Sequence, residues 1–180
     1  MALRYELADD DAVKLVDEIR AEHFPDISKA VIKVLFDLRK RKKGSGLVLG
    51  RIVKPSDLIR FFTAGNAAAI EGCDYVICLD KVVWDASGES DRVRLIRHEL
   101  RHAYYDTDAK NPSFRIVPHD VQDFRAEITL NEDDPLWAER VGQLAAQVYA
   151  QRKDDRPKTH KKQGRIPGTD GKSKSAGPDA

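Results

Sequence analysis

Residues 90–106, "SDRVRLIRHELRHAYYD", constrain the chain more than any other stretch because they overlay a metal-ligand pattern on a helical one. Val93, Ile96, Leu100, Ala103 and Tyr104 recur at intervals of three and four, which predicts an amphipathic helix opening near Ser90 and Asp91. Within it stands His98-Glu99-Leu100-Arg101-His102. Positions four apart on a helix differ by about 40° net, so His98 and His102 project from one face a turn apart and can share an ion. Glu99 lies about 100° further round, displaced from that pair but within reach of a water beside it. A fold built around such a helix must bring a further donor to the same face from elsewhere in the chain.

Chance is a poor explanation of the motif. With five His and nine Glu in 180 residues, roughly 0.007 accidental matches are expected before helical context is required. Zinc lowers the pKa of a water it binds toward about 7, and a neighbouring carboxylate can take the proton as that water attacks a carbonyl, then pass it to the leaving nitrogen. His98 and His102 are therefore expected zinc ligands and Glu99 the general base. A catalytic zinc has three protein ligands and an open position. Of the remaining histidines, His160 lies in a polar tail and His23 follows a helix far upstream, whereas His119 stands seventeen residues after His102. That makes His119 the expected third ligand. A helix predicted over "HDVQDFRAEITL" places Asp123 and Glu127 at steps of four from His119, so either carboxylate could replace it, orient a histidine, or belong to a solvated acidic stripe.

Around this centre the periodicities predict a helix from about Asp10 to Glu22 and a hairpin joining "KAVIKVLFDLRK" to "GLVLGRIV". They continue with a short helix in "PSDLIRFFTAG", a well-buried strand in "CDYVICLDKVVWD", and a last helix in "PLWAERVGQLAAQVYAQR". Five consecutive basic residues, Arg39 to Lys43, fall at the hairpin turn, where a solvated tip accounts for them. At 180 residues there is room for one domain and a tail. The domain is expected over 1–152. Residues 153–180 are poor in large apolar side chains and rich in Pro, Gly, Lys and Ser, which predicts a disordered basic tail.

The formal charge of +1 is unevenly spread: from Gln151 onward nine Lys/Arg face four Asp/Glu, a local +5, leaving about −4 on residues 1–150. Such a tail could make weak contact with nucleic acid. No stretch has the length of a membrane span or of a signal-peptide apolar core, so no membrane partner is expected and the protein should be cytoplasmic. Cys73 and Cys78 are then expected as reduced, buried thiols.

"LIRHELRHAYYD" followed by "VPHDVQDFRAEI" resembles the zincin metallopeptidases, in particular the SprT-like group, in which a proline-histidine segment supplies the third ligand. The longer order, from "HFPDISKAVIKVLFDLRKRKKGSGLVLGRIVKPSDLIRFFT" through "YVICLDKVVWD" to "HELRHAYYD" and "HDVQDF", resembles the phage metallopeptidase family over about residues 10–131. The resemblance implies a zincin-like α+β fold, with a small antiparallel or mixed sheet, the motif helix and further helices after it. It also implies zinc as cofactor and a protein or peptide substrate. In that fold the strand before the motif helix forms the edge of the cleft and pairs with extended substrate, a place "DYVICLDKVVW" would take. Tyr105 stands where a metzincin has glycine, and no four-cysteine ribbon follows.

Two other functions compete. "EGC" at Glu71 to Cys73 is similar to the deformylase segment whose cysteine ligates zinc, although its spacing from His98 is short and no glycine-rich deformylase motif stands near the amino terminus. A non-enzymatic metal module with a nucleic-acid-binding tail is the other; an intact Glu99 argues against it, since a structural site has no use for a base. Tyr104 or Tyr105 could stabilise an oxyanion, but packing accounts for both.

Overall fold

A computed structural model describes residues 3–44, 46–65, 69–111, 113–119 and 125–154. Asp123 and the 155–180 segment lie outside them. The chain is mixed α and β, with small sheets and six helices among the described residues.

Strand β1 (Tyr5–Leu7) leads into helix α1 (Asp10–His23), whose start is fixed by Asp9, its carboxylate accepting from the Ala12 N–H at 2.9 Å. Ala12, Val16 and Ile19 form its buried stripe. After a short 3-10 turn over Pro25–Ile27, strand β2 (Ile32–Asp37) crosses the core. The basic stretch then makes a two-stranded ribbon, β3 (Lys42–Lys43) with β4 (Gly46–Leu47), turned at Gly44 with φ +61°, before β5 (Gly50–Val53) and the exposed helix α2 (Asp57–Thr63).

Strand β6 (Tyr75–Asp80) is buried at every position. It lies parallel to β2 and antiparallel to β5, giving the sheet order β1-β2-β6-β5. Two expectations are corrected here. The runs around 30–40 and 46–53 do not pair with each other, because β6 inserts between them. Nor is β6 the sheet edge: both its faces and both its neighbours are occupied, and β5 takes the edge. The expected strand also stops early. The Asp80 carboxylate accepts from the Val83 N–H at 3.1 Å and starts helix α3 (Lys81–Ala86), so "KVVWD" is helical rather than extended.

Helix α4 (Glu89–Arg101) packs Leu95, Ile96 and Leu100 against the sheet and α1, sharing one core with Val16, Ile52, Tyr75 and Ile77. It ends with His102 as its C-cap, earlier than the spacing of Ala103 and Tyr104 implies. Those residues begin β7 (Ala103–Asp106), which pairs antiparallel with β8 (Ser113–Ile116). Buried Tyr75 fixes this hairpin on the core by donating its hydroxyl hydrogen toward the carbonyls of Tyr104 and Arg115, 3.0 and 2.8 Å away. Helices α5 (Arg125–Leu130) and α6 (Trp137–Asp154) follow, with Trp137, Val141 and Ala145 of α6 packed on Val83 of α3. Cys73 and Cys78 are free, buried thiols in a cluster with Val76. No described helix is long and apolar enough to cross a membrane.

Candidate metal centre

Three imidazoles converge at the end of α4. One ligand nitrogen each from His98, His102 and His119 can be chosen so that all lie within 4.8 Å of one another. The ring centroids are 5.6 Å apart for His98 and His102, 4.9 Å for His98 and His119, and 4.6 Å for His102 and His119. Helical spacing brings the first two together; the β7–β8 hairpin brings the third. Ala103 pairs with Ile116, so the chain leaving β8 passes beside His102, where the Val117 N–H donates to the His102 carbonyl at 2.8 Å. His119 follows two residues later, ahead of α5 rather than inside a helix described there.

The donor chemistry fits a cation. His102 Nδ1 is 2.7 Å from the Val117 carbonyl oxygen, which only accepts, so Nδ1 carries the hydrogen and Nε2 presents the lone pair to the cluster. The Nε2 atoms of His98 and His119 are 3.1 Å apart. A tetrahedral zinc with bonds of about 2.0–2.1 Å spaces its ligands about 3.3 Å apart, close to that separation. Three neutral imidazoles are a donor set suited to zinc and to other borderline first-row ions.

Glu99 is buried beside this cluster, against the sheet edge. Burial pushes its carboxyl up to about 7, opposed by a hydrogen bond from the Ile52 backbone N–H. The contact follows from strand alternation. The Leu49 carbonyl accepts from the Asp80 N–H at 2.8 Å, so Leu49, Arg51 and Val53 turn their backbone groups toward β6, while Gly50 and Ile52 turn theirs to the open edge. Gly50 makes room for the carboxylate: a Cβ there would stand 2.9 Å from Glu99 Oε1. The histidines, Glu99, Arg41 to Lys43 and Leu47 to Ile52 together line one cleft of about 810 Å³.

The alternative ligands fare differently. Glu127 is fully buried on another side of α4, its Oε2 2.7 Å from Arg97 Nε and its Oε1 3.1 Å from Arg101 Nη2, so it joins neither the imidazole cluster nor a solvated stripe. Cys73 is fully buried and receives the Thr63 hydroxyl, at 3.3 Å, and its own N–H is bonded to the same oxygen, far from a deformylase-like role. Tyr105 packs edge-on to Phe114 with centroids 5.0 Å apart. Sequence patterning missed the Val117 carbonyl, which any residue could supply, and Gly50, whose close approach to Glu99 has no local signature. The Arg97–Arg101 pair did leave a signal, two arginines four apart on a helix that is otherwise largely buried.

Fold and site together define a mixed α+β protein with a three-histidine centre able to hold a metal ion, set beside a buried carboxylate. The model of the family described as "Putative phage metallopeptidase" matches residues 4–149, and the chain belongs to that family. No curated protein and no solved structure matches it.

Proposed function

We propose that the protein is a zinc-dependent peptidase of zincin type, in which His98, His102 and His119 hold the ion and Glu99 is the general base. The convergence of three imidazoles beside a buried carboxylate carries this reading, and family membership supports it. Bound zinc would supply Lewis acidity toward a water and toward the scissile carbonyl. Glu99, with its proton affinity raised into the neutral range by burial, takes a proton from the attacking water and returns it to the leaving amine. The His102 Nδ1 hydrogen bond to Val117 fixes ring orientation.

Substrate binding falls to β5. Its Gly50 N–H and C=O and its Ile52 C=O face the unpaired sheet edge, next to the base, and an extended peptide could pair with them there. This gives β5 the role that the family resemblance implied for the following strand.

The test is metal analysis of the purified protein together with a general peptidase assay. About one zinc per chain is expected in both wild type and Glu99→Gln, with hydrolysis present only in wild type. Zinc lost from Glu99→Gln, or hydrolysis undiminished in it, refutes the assigned role of Glu99.

A further inference from the structure

The cleft beside the candidate metal centre has a charge that the rest of the body does not share. Residues 1–150 carry a net charge of about −4, yet four basic residues, Arg41, Lys42, Lys43 and Arg51, line the cleft, and Glu99 is the one acidic residue lining it among the described residues. Part of that charge is already answered. Arg41 Nη2 lies 3.1 Å from Asp37 Oδ2, and Arg51 is hydrogen-bonded to the Tyr5 hydroxyl at 3.2 Å. Lys42 and Lys43, both exposed, have no ion-pair partner among the described residues. Their position is defined, because Lys42 pairs with Leu47 and Lys43 with Gly46 in the β3–β4 ribbon, and the Val48 N–H donates back to the Arg41 carbonyl at 3.1 Å. This ribbon immediately precedes β5.

We propose that Lys42 and Lys43 form a recognition site for acidic side chains of a peptide substrate, so that the cleft selects Asp and Glu on one side of the scissile bond. The proposal rests on the peptidase reading for its substrate class and on the ribbon for its charge. A peptide laid along the open edge of β5 runs past the ribbon at one end only, the end where β5 begins, so the preference must be one-sided. From Gly50 back to Leu47 and Gly46 is about 10–13 Å of extended chain, which places the favoured acidic residue roughly two to four positions from the cleaved bond. Two exposed ammonium groups add modest affinity each, but like-charged substrates are also repelled, and both effects favour acidic sequences.

Cleavage of a diverse peptide library by the zinc-loaded full chain tests this. Wild type should enrich Asp and Glu at such positions on one side, and Lys42→Glu/Lys43→Glu should lose or invert the enrichment. A binding arm needs no hydrolysis: fluorescence anisotropy with the Glu99→Gln protein, comparing an acidic peptide with its Asn/Gln counterpart. The acidic peptide should bind about tenfold tighter at low salt, an advantage that shrinks in 0.5 M salt and vanishes when both lysines are reversed. Absence of cleavage would sink the peptidase reading alone, since the binding arm still decides the charge preference. Equal binding of the two peptides, an advantage untouched by charge reversal, or a DNA duplex displacing the acidic peptide at lower concentration would each overturn the proposal.

Discussion

Glu127→Ala should destabilise the protein severely whether or not metal is bound, because Glu127 is the anion that two arginines of α4 share. Arg97, only 10% exposed, donates from Nε to Oε2 at 2.7 Å and from Nη2 to the Asn131 side chain, while Arg101 reaches Oε1 at 3.1 Å. Removing the carboxylate leaves Arg97 buried with the neutral Asn131 side chain as its one side-chain partner among the described residues. Arg101, 26% exposed and stacked 4.7 Å over the Phe24 ring, can turn toward water, so most of the cost falls on Arg97. Breaking such a buried pair from one side costs about 3–5 kcal/mol, which for a body of this size lowers the melting temperature by roughly 6–20 °C. Glu127→Gln keeps one acceptor oxygen, replaces the other with an N–H donor and loses the charge, and should fall between wild type and the alanine variant.

Thermal melting in excess chelator and in excess zinc separates a clamp from a ligand. A clamp gives Glu127→Ala the same loss in both conditions. A ligand gives a loss confined to zinc, the behaviour expected of His119→Ala, because stabilisation by a bound ion depends on the affinity of the native state for it. A Glu127→Ala loss seen only with zinc, or one below about 1 kcal/mol in both conditions, would refute the reasoning.

Two further outcomes are expected. In metal-free protein the folded state holds the Glu99 proton up to about pH 7 while the unfolded chain releases it near 4.5, so stability present below pH 4.5 is lost as pH rises to 7, by roughly 3 kcal/mol; pH-dependent melting of wild type minus Glu99→Gln reads this, and a difference that does not change between pH 4.5 and 7 refutes it. Gly50→Ala would put a methyl group 2.9 Å from Glu99 Oε1 and 3.2 Å from Leu95 Cδ1, so kcat should fall at least about tenfold with zinc affinity within a few-fold of wild type; unchanged kcat would show that the carboxylate does not depend on this contact.

What could be read from the chain in advance followed the range of the interactions concerned. Helix α1 and the body of α4 are set by periodicity and local caps, and their predicted spans agree with the structure to within a few residues. Strand neighbours were not legible. Both runs flanking the basic turn have strand composition, and their closeness in sequence suggests a hairpin, but the long apolar alternation of β6 is better buried between two strands than exposed at an edge. The end of β6 was hidden for a different reason: Val82, Val83 and Trp84 continue an apolar pattern that suits a buried strand and a buried helix alike, and only the Asp80 carboxylate decides between them. Glu127 was misjudged because helical spacing fixes an angle around an axis and says nothing about which neighbour that axis meets.

The centre itself was more legible than the sheet, and the β7–β8 hairpin explains why. Antiparallel pairing returns the chain to its starting point whatever the length of the loop, so a donor just beyond β8 must come back beside the residue just before β7. Sixteen residues lie between His102 and His119, of which β7 and β8 account for eight. Two hydrogen bonds close the ring at its base, Val117 N–H to the His102 carbonyl and His102 Nδ1 to the Val117 carbonyl. The second of these uses the His102 ring itself, so the register that brings His119 home also selects the tautomer that aims His102 Nε2 at it. Two histidines in the helix fix a direction, and the hairpin supplies the third donor by returning the chain across it. The β5 edge was invisible from sequence because Gly50 and Ile52 act there through a missing side chain and a backbone N–H, neither of which leaves a residue pattern.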